Sequence, residues 1–240
     1  MNKQELAYKL HNTFLNQAVI STKEIAGVLA QTFPGLSSKT ISWRINQLKK
    51  EKLIFQVGRG LYSFEFKPEY EPELSLKAKR LFNRINNIKD TEIVIWDINL
   101  IDEFSESHSG KKWYFLYVKK DKLERTFNDL QDNSKPAFLQ PDNEVISRYL
   151  LGQDEAIILL PKISEMPLIK AGEYTMPSLE GLLVNFWLKS ENFLRPIGYD
   201  VHQIFVAAFE KYNVNISKLL RFAARRDKRN EINELIKSII

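Results

Sequence analysis

Apolar and polar positions alternate at helical spacing from the start of the chain. Leu6, Leu10 and Phe14 recur four residues apart, with Ala7 and Tyr8 beside them, which predicts an amphipathic helix over residues 3–16. Ser21 followed by Glu24 forms a capping-box pattern, and Ile25, Ala26 and Leu29 then give the apolar stripe of a short second helix. Phe33-Pro34-Gly35-Leu36-Ser37 breaks the period, and Ser37 or Ser38 can cap a third helix over Ser38–Lys50. In that helix Ile41, Ile45 and Leu48 share one stripe with the following Leu53, while Lys39, Trp43, Asn46 and Lys50 fall on the opposite side. One face can pack and the other is free to recognise something.

Two strand-like runs follow, residues 53–57 and 61–66, joined by Gly58-Arg59-Gly60. Two glycines permit positive φ at a tight turn and would hold Arg59 at its tip. Three helices and a hairpin in this order predict a winged helix-turn-helix, in which the third helix enters the DNA major groove and the hairpin, the wing, reaches the neighbouring backbone. The proline-bracketed acidic stretch after Lys67 reads as a linker. Helical spacing returns over residues 74–88 with Leu76, Leu81, Ile85 and Ile88. Strands are expected at 92–97, 113–118 and 156–160, with helices at 121–130 and 143–150 between them. From Pro177 the pattern is helical, with helices beginning at Pro177 and then spanning 201–212, 217–226 and 228–240. The expected class is α+β: a winged helix-turn-helix domain at 1–67, a linker at 68–74, and at 75–240 an α/β layer with a C-terminal helical cluster.

Composition adds a partner and removes several chemistries. The net charge is +5, and residues 1–67 hold ten Lys and Arg against four Asp and Glu, so the first quarter carries the whole surplus. There is no cysteine, which excludes disulfides, thiolate zinc sites and a cysteine nucleophile. No secretory signal pattern and no apolar run of membrane-spanning length is present, so a cytoplasmic protein without a membrane partner is expected. The candidate DNA-binding residues are Lys39, Thr40, Ser42, Trp43, Arg44, Asn46 and Lys49 on the third helix and Arg59 on the wing. Arginine pairs with guanine edges, asparagine with adenine, and lysine mostly with phosphate. Trp43 is open between DNA contact and burial against the wing. The bland reading makes this helix a protein-interaction module with a solvated lysine face.

A second basic group, Arg221, Arg225, Arg226 and Arg229, is a candidate contact for DNA or a partner. Its alternative is structural: cations complement helix C-termini, and Asp227 and Glu231 offer local pairs. A nuclease-like site would use Asp97 and an acid-x-Lys on the next strand to hold a divalent cation. That strand reads Tyr117-Val118-Lys119, which removes a ligand. His11, His108 and His202 have no metal spacing, and phosphate-loop and nucleophile-elbow motifs are absent. No catalytic residue, metal or cofactor is expected.

Trp43-Arg44-Ile45 with Val57-Gly58-Arg59-Gly60-Leu61-Tyr62 resembles the winged-helix domain of AbiEi-type antitoxins of bacterial abortive-infection (type IV toxin-antitoxin) systems. Pro177 to Asn185, Tyr212 to Asn215, Leu219 to Ala223, and Arg225-Arg226 resemble the C-terminal region of that family. Where the family is expected to carry an acidic residue and a lysine, this chain has Asn185 and Gly181. The resemblance implies a non-enzymatic antitoxin that represses its own operon by binding repeated promoter sequences in double-stranded DNA. It would counteract a companion nucleotidyltransferase toxin, in that family often without a stable complex. The competing expectation is a defence or mobile-element DNA-binding protein whose C-terminal part is a degenerate nuclease-like fold used for interaction.

Overall fold

Side-chain caps fix where the first three helices begin. The computed structural model describes residues 2–86, 92–131 and 136–240. Asn2 and Glu5 form a capping box that starts α1 (Lys3–Thr13), and Ser21 and Glu24 form the expected one at α2 (Thr22–Thr32). Ser37 is the residue that caps α3 (Ser38–Lys50), its Oγ accepting the Thr40 N–H at 3.2 Å. Between α1 and α2 lies β1 (Ile20–Ser21), a two-residue strand too short to leave a pattern in the sequence. It pairs antiparallel with β3 (Leu61–Ser63), which pairs in turn with β2 (Phe55–Gly58), giving the order β1-β3-β2. Leu6, Leu10, Ile25, Leu29, Ile45, Leu48 and Ile54 close a core under these elements.

The hairpin turn differs from the expected one. Gly58 pairs with Leu61, so the turn is Arg59-Gly60, and of the two glycines only Gly60 has positive φ, +71°. Gly58 serves close approach: a Cβ there would stand 3.0 Å from the Ser217 hydroxyl.

The stretch 68–74 is no free tether. Tyr70, Pro72 and Leu74 alternate inward and are buried, and the Asn213 N–H donates to the Pro68 carbonyl at 2.8 Å. In α4 (Leu76–Asn86) the buried stripe is Ala78, Leu81, Phe82 and Ile85, while Leu76 is exposed. Ile88 lies outside the described residues.

The second core surrounds a four-stranded sheet. It contains β4 (Val94–Asp97) and, after the short α5 (Asn99–Asp102), β5 (Lys112–Val118). The chain continues through α6 (Leu123–Gln131), β6 (Ala137–Leu139), α7 (Asn143–Val145) with a π-helical turn at Ile146–Leu150, and β7 (Glu155–Pro161). The order is β4-β5-β7-β6, antiparallel at β4–β5 and parallel elsewhere. β5 and β7 are central and read as apolar runs because both faces are covered. Trp96 stacks on Phe115 with ring centroids 3.9 Å apart, and the edge of Phe186 meets Trp96 at 5.5 Å.

The sequence pattern also misses β6 and the hairpin β8 (Leu168–Ala171)–β9 (Tyr174–Pro177). The signal for the hairpin was Gly172, which opens a two-residue turn at φ +65°. α8 (Leu179–Lys189) then runs into a second π-helical turn, Ser190–Leu194, and a 3₁₀ turn, Arg195–Ile197. α9 (Val201–Lys211), α10 (Ile216–Ala224) and α11 (Arg229–Ile239) complete the helical cluster. Gly181 on α8 has no room for a side chain, since a Cβ would lie 2.8 Å from the Pro167 carbonyl. The lysine of the antitoxin pattern cannot be accommodated there. Among the described residues no helix is long and apolar enough to cross a membrane.

Candidate nucleic-acid interface

Ile45 and Leu48 anchor α3 in the first core, with Ile41 packed beside them, so the opposite side of the helix faces solvent. Lys39, Ser42, Asn46 and Lys50 are exposed there, and Trp43 is 57% exposed. Trp43 is therefore not buried against the hairpin. It borders a depression shared with Asn2, Lys3 and Gln4 at the start of α1.

Three of the candidate residues on α3 have other work. Thr40 shares a 2.9 Å hydrogen bond with the Ser37 hydroxyl and belongs to the cap. The Lys49 amine donates to Gln56 Oε1 at 2.6 Å, tying α3 to β2. Arg44 lies on the flank towards α2, its guanidinium 4.2 Å from the centre of the Phe33 ring and its Nε buried without a partner among the described residues. Lys50, which the candidate set left out, completes the open face beside Lys39 and Asn46.

Arg59 keeps an exposed side chain, but its backbone is fastened. The Arg59 N–H donates to Ser217 Oγ on α10 at 2.8 Å, and the Gly60 carbonyl accepts the Thr22 N–H at 2.8 Å. Sequence reasoning gave no hint of Ser217, because a contact 158 residues away leaves no local pattern.

The second basic group divides. Arg225 pairs with Glu165 at 3.0 Å, and Arg226 is half-buried. The expected local pairing is seen for Lys228 with Glu231, at 2.7 Å. Arg221 and Arg229 are exposed and make no ion pair among the described residues. Lys218 reaches the buried Glu180 carboxylate at 3.0 Å, and this carboxylate also takes the Asn215 N–H at 3.1 Å and the Ser178 hydroxyl.

The residues of the nuclease alternative do not converge. Asp97 is buried, and its Oδ2 accepts the Ser75 N–H at 3.0 Å at the start of α4; burial holds its carboxyl above the usual carboxylate range against that hydrogen bond. Asp97 pairs with Tyr114 across the sheet, whereas Tyr117 pairs with Val94, about 10 Å further along. Burial pushes the Tyr117 hydroxyl up to about 12, and Lys119 lies beyond it. His108 meets Asp102 at 3.3 Å and His11 packs on Phe64, so these two histidines have separate surroundings. Among the described residues no group of three His, Cys, Asp or Glu is arranged to hold a metal.

Two features lie outside the expected site. A cleft of about 820 Å³ opens beside the second π-helical turn, lined by Trp187, Glu191, Arg195, His202 and Glu231 among others. Lys189 sits over Phe193 with its amine 4.6 Å from the ring centre, and burial followed by the Arg226 charge pushes that amine down to about 7.

Residues 40–240 match DUF6577, a family of unknown function. The chain belongs to this family. No curated protein matches it. The DUF6577 match opens inside α3 and continues through the hairpin, the strap at 68–74 and the helical cluster. Lys50, Arg59, Ser217 and Arg221 thus all lie within the DUF6577 region.

Proposed function

We propose that this protein is a non-enzymatic regulator that binds double-stranded DNA through a winged helix-turn-helix formed by α1–α3 and the β2–β3 hairpin. The observation that carries the reading is the open face of α3, where Lys39, Asn46 and Lys50 are exposed opposite the packed Ile45 and Leu48. An amide and two ammonium groups on one exposed helix side suit adenine edges and flanking phosphates. The positive surplus of residues 1–67 supports the same partner. Arg44 and Thr40 act in this reading as supports of the helix, and Lys49 braces it against the hairpin.

The similarity to AbiEi-type antitoxins extends the proposal to an autorepressor that counteracts a nucleotidyltransferase toxin in the bacterial cytoplasm. That half rests on the resemblance alone, and relief of toxin-induced growth arrest on co-expression is its test. For the DNA half, a photo-crosslinking benzophenone amino acid placed at position 42 on α3 is expected to cross-link to duplex upstream DNA. The same group at position 149, exposed on the first π-helical turn, is expected not to. Equal cross-linking from both positions would remove α3 as the reader.

A further inference from the structure

We infer that the DNA-binding surface does not end at the hairpin but continues onto α10, where Arg221 takes a backbone phosphate of the same duplex. This rests on the DNA-binding reading above. Its first support is the joint between the two parts. The Arg59 N–H donates to Ser217 Oγ at 2.8 Å, the Asn213 amide reaches the Gln56 carbonyl at 3.5 Å, and Gly58 lies so close to Ser217 that a Cβ would stand 3.0 Å from its hydroxyl. The hairpin turn therefore sits against α10 as one surface.

The second support is which cations are uncommitted. Ser217 and Arg221 are one turn apart on the outer stripe of α10, a rise of about 6 Å. Lys218 is held by Glu180 and Arg225 by Glu165, while Arg221 is exposed with no ion pair among the described residues. It stands one helical turn from the contact that fixes the exposed Arg59.

The third is the absence of acids in the sequence on either side of the joint. Residues 52–64 contain no Asp or Glu, and neither do residues 211–226, which carry Lys211, Lys218, Arg221, Arg225 and Arg226. In space Lys218 and Arg225 are offset by Glu180 and Glu165, so Arg59 and Arg221 are the exposed arginines left beside the joint, and two like charges held near one another favour a polyanion. A duplex presents a phosphate about every 3.4 Å of axis on each strand, so an anion is available to both Arg59 and Arg221. Arg221 then adds affinity without sequence preference, and the C-terminal helices form part of the DNA reader.

The test is fluorescence anisotropy of the full chain with a duplex of about 30 base pairs from its own upstream DNA, over a series of KCl concentrations. Arg221→Ala is expected to weaken binding to specific and unrelated duplexes alike and to reduce the salt slope by about 1, as loss of one phosphate contact does. Arg225→Ala, whose guanidinium is engaged by Glu165, is expected to change the slope less. Circular dichroism melting checks that each variant is folded. Wild-type affinity and slope in Arg221→Ala, with Lys50→Ala still weakened, would overturn the extension and leave the α3 reading standing. Salt-insensitive or absent binding by the wild type would overturn both. Tighter binding to single-stranded RNA of the same sequence than to the duplex would also overturn the assignment.

Discussion

Trp96→Ala is expected to destabilise the protein by roughly 3–5 kcal/mol, the range for deleting a large buried aromatic side chain. Trp96 is fully buried at the centre of the second core, stacked on Phe115 and met by the edge of Phe186. Its neighbours belong to a central strand and to α8, neither of which can move into the space without disturbing the sheet. The loss is a large fraction of the roughly 5–15 kcal/mol that holds a typical domain together. Urea unfolding measures it. A loss below about 1 kcal/mol would mean that the stack is not the centre of this core.

Glu180→Ala is expected to have the second largest effect, about 3 kcal/mol, because removing one partner of a buried ion pair leaves the other groups unsatisfied. Glu180 binds the Ser178 hydroxyl, the Asn215 N–H and the Lys218 amine, and so joins the start of α8 to the start of α10. Lys218 keeps one third of its side-chain surface exposed and can regain water, which holds the cost to the lower end of the range. Glu180→Gln retains an acceptor for the Asn215 N–H and is expected to lose less. The change also reaches the hairpin: Ser217, whose hydroxyl holds the Arg59 N–H, lies one residue before Lys218. In the proposed DNA-binding reading, Glu180→Ala is therefore expected to weaken duplex binding at temperatures where the protein is still folded. Wild-type stability in Glu180→Ala would contradict the clamp.

Local chemistry was legible in the sequence and distant packing was not. Ser21 with Glu24 marked the start of α2 because both partners of the cap lie within four residues. Ile45 and Leu48 told which side of α3 is open for the same reason. By contrast, the role of Gly58 depends on Ser217, and the task of Lys49 depends on the side-chain conformation of Gln56. Tyr70, Pro72 and Leu74 looked like linker residues because prolines and acids surround them, yet their alternation buries all three and places Tyr70 and Leu74 in the second core. The four-stranded order could not be read, since β6 has only three residues and pairs with a strand that follows it after a helix and a π-helical turn. At the candidate site, Lys39, Asn46 and Lys50 follow from periodicity, whereas the commitments of Arg44, Arg225 and Lys218 become visible only with their partners in place.

The most direct measurement of the central claim is the affinity of the wild-type chain for a duplex from its own upstream DNA between 50 and 200 mM salt. Phosphate contacts from Lys39, Lys50, Arg59 and Arg221 predict a fall of roughly a hundred-fold across that range, with a linear dependence of log affinity on log salt. No binding at micromolar protein, or an affinity that salt leaves unchanged, would contradict the proposal that this protein is a DNA-binding regulator.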